Sequence, residues 1–119
     1  MSDTDLDRIT LLDEEVIAEL REVLEDEFAE LLQHFLNELP LQFARLQTAI
    51  DQSDAGELYR VAHQLKSSCG SMGALRLAEL VRRLERAGRE STLDDATALL
   101  DRTRAVSAET VTGLRAHLN

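Results

Sequence analysis

The chain has 119 residues, 44% of them hydrophobic, with one cysteine, one proline and no tryptophan. This is enough apolar side chain for one domain with its own core and too little length for a second, and a lone cysteine excludes an internal disulfide. The formal net charge of −10 disfavours nucleic acid and anionic membrane as partners, because both select a basic surface.

The acidic start Met-Ser-Asp-Thr-Asp lacks the basic and apolar regions of a signal peptide, and no apolar run is long enough to span a bilayer. A cytoplasmic protein is expected, with residues 1–12 as a flexible tail. Asp13 can cap a short helix over residues 14–24, with Val16, Ile17, Leu20 and Leu24 on one apolar face. Asp26 can cap a longer helix to about residue 52, along which Phe28, Leu31, Leu32, Phe35, Leu39, Leu46 and Ile50 recur at helical spacing; Pro40 should bend it without dividing it. Asp54 and Glu57 have capping-box spacing for the next helix, which should stop between Gly70 and Gly73. A further helix is expected from Ala74 to Ala87, ended by Gly88, and Ser91 or Thr92 can cap a last one reaching Leu118. The periodicity of that last helix is weak between Thr103 and Thr112. No hairpin signal argues for a sheet. The expected fold is all-α: an antiparallel up-down four-helix bundle over residues 13–119, with a short additional N-terminal helix across one end.

The third of these helices holds the most chemistry. On it Leu58, Val61, Ala62, Leu65, Cys69 and Met72 share one face, while Tyr59, His63, Lys66 and Gly70 share another. An imidazole is thereby turned outward beside the only lysine of the chain, and Gly70 adds no side chain to block an approaching partner. That arrangement suits the acceptance of a phosphoryl group, with Lys66 as a point charge for it. A solvated surface histidine without a role is the ordinary alternative. Cys69, on the apolar face, reads as a small core hydrophobe. Charge is unevenly spread: residues 1–40 hold 13 acidic and 2 basic side chains, whereas residues 60–89 hold 7 basic ones and only Glu79 and Glu85 as acids.

Glu85 is the candidate partner of His63. If one helix ends near Gly70 and the next begins near Ala74, the two residues differ in axial height by about 6 Å, and side chains leaning toward their own N-termini converge across an antiparallel pair. An acceptor there would hold one ring nitrogen as N–H and leave the other with its lone pair. Pairing with Arg82 or Arg89 along its own helix is the alternative for Glu85. Gln64 and Ser67 flank the histidine, where they can contact a partner. A metal site of the Glu-x-x-His type is not present, and His34 and His117 read as boundary and chain-end residues.

Ala62-His63-Gln64-Leu65-Lys66, followed by small residues, Gly70, Gly73-Ala74, then Leu77, Leu80, Leu84 and Glu85, resembles the histidine-containing phosphotransfer (HPt) family. Its usual signature is Ala-His-x-Leu-Lys-Gly; here Ser67 stands where the glycine is usual, which should alter local packing or partner approach without removing activity. The resemblance spans most of the chain. It implies a phosphoacceptor at His63, a Glu85 that orients the imidazole, an apolar docking surface to which Tyr59 and the exposed side of the first helix, Val16 and Leu20, contribute, and partners that are receiver domains of a hybrid histidine kinase and of a response regulator. It further implies that the chain binds no cofactor, the magnesium belonging to the partner receiver domain, and that the chain is not itself a kinase. No glycine-rich nucleotide loop is present. A monomer is expected, since a bundle can bury its own apolar faces. Two other readings are an inert helical interaction or dimerisation module with an incidental histidine, and a phosphotransfer domain feeding a chemotaxis-type kinase; the initial Met and closing helix favour a free-standing protein.

Overall fold

Six helices follow one another in the structure, a computed structural model that describes residues 3–118: α1 Asp3–Asp7, α2 Glu14–Leu24, α3 Glu27–Asp51, α4 Ala55–Ser71, α5 Leu75–Glu90 and α6 Ala96–Arg115, closed by a 3₁₀ turn Ala116–Leu118. No strand occurs among the described residues. α3 packs on α4 and α6, and α5 packs on α4 and α6, so the four long helices form a closed ring with α2 against α3. Antiparallel neighbours are what short connections between long helices impose. The most extensive pairing is α4 with α5, the two helices that carry His63 and Glu85.

The core is the inward stripe of each helix. Phe28, Leu32, Phe35, Leu39, Phe43 and Leu46 of α3 meet Leu58, Val61, Ala62 and Leu65 of α4 and Leu77, Leu80, Val81 and Leu84 of α5. Cys69 is fully buried, and burial pushes its thiol pKa up to about 12, so it behaves as the small hydrophobe its position suggests.

Several helix ends differ from expectation for local reasons. Asp13 caps α2, its Oδ1 accepting from the N–H groups of Glu15 and Val16. Asp26, by contrast, is itself helical and makes no capping bond; the break before α3 is made by Glu25, at φ 51°. Asp54 accepts from the Glu57 N–H at 3.0 Å, but the capping box is half formed. The Asp54 N–H goes to the Ala49 carbonyl, and the Glu57 carboxylate pairs with Arg60. α5 does not stop at Gly88 but runs to Glu90, with Ser91 as its left-handed cap at φ 55° and the Thr92 N–H bonded to the Ala87 carbonyl. Ser91 and Thr92 thus finish α5 rather than start α6, whose first residue is Ala96. α3 is one helix with Pro40 inside it.

The flexible tail expected over residues 1–12 is replaced by a docked segment. Its first two residues, like Asn119, lie outside the described residues. Leu6 and Leu12 are buried, and a Cβ on Gly113 of α6 would come within 2.8 Å of Leu12, so the chain lies flat on that helix. Arg76 of α5 ties the segment down, its Nε donating to the Ile9 carbonyl at 2.9 Å. A leucine such as Leu12 in a short acidic stretch reads as solvated because its partner, Gly113, lies on distant α6. Arg76→Ala should lower stability by about 1–2 kcal/mol and speed cleavage within residues 1–12, measured by urea unfolding and limited proteolysis.

Candidate functional site

His63 stands midway along α4 with its side chain 54% exposed, and Glu85 stands on the facing side of α5 with its side chain 3% exposed. His63 Nδ1 and Glu85 Oε2 are 2.6 Å apart. An ionised carboxylate only accepts, so Nδ1 carries the hydrogen of the neutral ring and Nε2 keeps its lone pair. Nε2 makes no hydrogen bond among the described residues. The nitrogen that keeps its lone pair is thus directed away from the carboxylate on a half-exposed ring.

Glu85 does both things proposed for it. Besides His63, its Oε1 accepts from Lys66 Nζ at 2.9 Å across the helix pair and from Arg89 at 3.3 Å along its own helix. Burial works to raise the Glu85 pKa, but the hydrogen bonds and charges of Lys66 and His63 outweigh it and hold the carboxyl below its ordinary value. A depressed carboxyl stabilises the fold above the ordinary carboxylate pKa, and that contribution is lost as pH falls through the lowered value. Glu85→Gln should therefore cost about 1–3 kcal/mol at pH 7. Urea titrations of both proteins should converge as the pH is taken down to where the wild-type carboxyl is also neutral.

Tyr59, one turn before His63, stacks on it with ring centroids 5.8 Å apart and planes at 19°. The imidazole is consequently fixed twice, through Nδ1 and through its face. Ser67 is exposed, its hydroxyl donating to the His63 carbonyl at 3.3 Å. Gly70 is exposed with nothing within 4 Å of where a Cβ would sit.

Beside the histidine a groove of about 450 Å³ runs between α2, α3 and α4. Leu20, Leu31, Phe35, Leu39, Leu65 and Met72 supply apolar walls, and Gln64, Ser67, Ser68, His34 and Glu38 supply polar ones. Of the expected docking residues, Leu20, Gln64 and Ser67 come together here, whereas Tyr59 lies on the imidazole and half-buried Val16 lines neither. His34 belongs to the groove rather than to a packing boundary. His117 is not a loose chain end: its Nε2 pairs with Glu14 at 3.1 Å and its carbonyl accepts from Arg21 at 2.6 Å, tying the last turn to α2. Sequence reasoning gave no site role to Arg89 or Gly88, and the four-residue spacing from Glu85 to Arg89 was the available signal for the first. Among the described residues no group of three or more His, Cys, Asp or Glu is placed to hold a metal ion, and no helix is long and apolar enough to cross a membrane.

The site thus consists of one surface imidazole held on a helical bundle by a carboxylate from the neighbouring helix. The model of the Hpt domain matches residues 30–117, and the chain belongs to that family. The structure is similar to the crystal structure of histidine-containing phosphotransfer protein B (HptB) from Pseudomonas aeruginosa PAO1, with a TM-score of 0.88 and 31% identity over 91% of this chain and 94% of that one. Among curated proteins no sequence match was found.

Proposed function

We propose that this protein is a phosphorelay intermediate in which His63 takes a phosphoryl group from the phosphoaspartate of a receiver domain on a hybrid histidine kinase and passes it to the receiver of a response regulator. The observation that supports this most is the 2.6 Å contact of Nδ1 with buried Glu85, which leaves Nε2 as the free nucleophile on an exposed helix face. In the transfer the Nε2 lone pair forms the N–P bond as the P–O bond to the aspartate breaks, and the aspartate leaves as carboxylate. The ring, still bearing hydrogen on Nδ1, becomes a cation that Glu85 faces and neutralises. Return of the phosphoryl group to a second aspartate reverses these steps, with no proton lost or gained overall.

On this reading the groove between α2, α3 and α4 takes an apolar surface of the receiver, with Leu20, Gln64 and Ser67 in contact with it, while Tyr59 and Gly70 border the approach to His63. Lys66 offsets phosphoryl charge from its place beside Glu85, and magnesium held by the receiver supplies the remaining charge neutralisation. The chain works as a monomer in the cytoplasm and is a carrier, not a kinase, since its phosphate arrives already activated. The test is to mix the purified protein with a magnesium-loaded, ³²P-phosphorylated receiver domain. Acid-labile, base-stable label on this chain is expected; no label from several receivers would favour an inert helical interaction module.

A further inference from the structure

α2 is a lightly anchored wall of the groove. Ile17 is its buried side chain, and a helix of 11 residues has little stability of its own in water. Its start rests on the turn at Gly73, where the Asp13 N–H donates to the Gly73 carbonyl at 2.8 Å, and its end passes to α3 through Glu25 at φ 51°. Exposed Glu15, Glu19 and Glu22 set like charges at adjacent turns along it.

The last turn of the chain grips that wall from outside. Arg21 Nη2 donates to the His117 carbonyl at 2.6 Å and lies 3.2 Å from His117 Nδ1, while His117 Nε2 is 3.1 Å from Glu14 Oε2. A guanidinium only donates, so Nδ1 accepts, and Nε2 carries the hydrogen that goes to Glu14. One neutral tautomer of the ring thus makes both contacts. Glu14 and Arg21 are two turns apart on one flank of α2, and the single imidazole spans them. The Arg21 guanidinium also lies over Phe28 of α3, 5.0 Å from the ring centroid. At about 100° per residue, Ile17 falls between Arg21 on one flank and Leu20 on the other, so a grip on the Arg21 flank sets how far Leu20 leans into the groove.

We propose that Arg21 and His117 are positioning residues for docking: together they clasp α2 to the bundle and hold Leu20 in the groove wall that meets the receiver, although neither lines the groove itself. This rests on the reading of the groove as the receiver's docking surface and deepens it. The clasp acts on encounter and leaves the chemistry at His63 alone, because α4 and α5, which fix the imidazole, do not depend on it.

The experiment is to titrate a phosphorylated, magnesium-loaded receiver against the full chain and to measure the maximal transfer rate and the receiver concentration that gives half of it. Arg21→Ala should raise that concentration about threefold to tenfold, with the maximal rate within about twofold of wild type. Arg21→Lys, which keeps the charge and loses the planar fork, should recover part of the loss. His117→Ala, which leaves the backbone contact in place, should fall between wild type and Arg21→Ala. Hydrogen exchange of the free proteins supplies a readout that a direct contact of Arg21 with the receiver would not move: amides of α2 should exchange faster in Arg21→Ala, and those of α4 and α5 at the wild-type rate. A half-maximal concentration for Arg21→Ala within about twofold of wild type would overturn the proposal, as would α2 exchange that does not change or a loss confined to the maximal rate. An Arg21→Lys protein no better than Arg21→Ala would overturn it too, assigning the residue to packing on Phe28. A wild-type protein that takes no label from any receiver would instead overturn the reading on which the proposal rests.

Discussion

His63→Gln is expected to fold like the wild type, to bind a receiver with unchanged affinity and to acquire no acid-labile phosphate. The side chain is 54% exposed and contributes nothing to the buried stripe of α4, so its replacement should change stability by no more than about 1 kcal/mol. Glutamine is close in length, and its amide can donate to Glu85 as Nδ1 does, which keeps the buried carboxylate paired and spares the cost of an isolated charge. What glutamine lacks is a ring nitrogen with a free lone pair. The label in a transfer assay should thus drop to background while calorimetric binding to the unphosphorylated receiver and the urea midpoint hold. Retained signalling in cells carrying this variant would mean that the protein acts by binding alone, with the histidine incidental.

The sequence disclosed the site more fully than it disclosed the frame around it. His63, Lys66 and Glu85 were legible because helical spacing fixes which residues share a face, and because an antiparallel pair joined by a short turn fixes which heights face each other. Those two rules bring His63 and Glu85 to facing positions; that Nδ1 is the nitrogen at Oε2 is seen only in the structure. Arg89 was hidden by the same logic: as a neighbour of Glu85 on one helix it looked like a competitor of His63, whereas a carboxylate with two oxygens serves both. The frame failed where a residue's role depended on a distant element. Leu12 has no periodic partner near it in sequence, and it is buried against Gly113 of α6. The weak periodicity of α6 has a similar origin. Its inward stripe is Leu100, Thr103, Ser107, Thr110 and Leu114, and the hydroxyls of Thr103 and Thr110 are satisfied by carbonyls one turn back, at 2.7 and 2.8 Å. Helical spacing is intact there, but the polar side chains disguise it, because an internally bonded threonine packs where a valine would.

Gly88 shows most sharply how a sequence signal can be right about the residue and wrong about the reason. A glycine after a periodic run ordinarily marks a helix end, yet α5 continues through Gly88 for two more residues. A Cβ there would lie 2.5 Å from the Tyr59 nitrogen, 2.8 Å from the Ala55 oxygen and 2.9 Å from the Tyr59 Cα. All three are backbone atoms, which no rotamer change can move, so alanine would force α4 and α5 apart. Helix propensity favours alanine over glycine by about 1 kcal/mol, but overpacking against rigid backbone costs more, and Gly88→Ala should destabilise by about 1–3 kcal/mol net. Gly70→Ala is the matched control. Nothing lies within 4 Å of its Cβ, and the same propensity term should there stabilise by about 0.5–1 kcal/mol. Opposite signs from one chemical change, measured by urea unfolding, would separate contact from propensity. The functional consequence follows from position. Gly88 lies beside Tyr59 and one turn from Glu85, so parting the helices lengthens the 2.6 Å contact that orients His63 and should slow phosphoryl uptake in protein that is still folded. Uptake by Gly88→Ala equal to wild type, at a temperature where both are fully folded, would show that the orientation of the imidazole does not depend on how closely α4 and α5 approach.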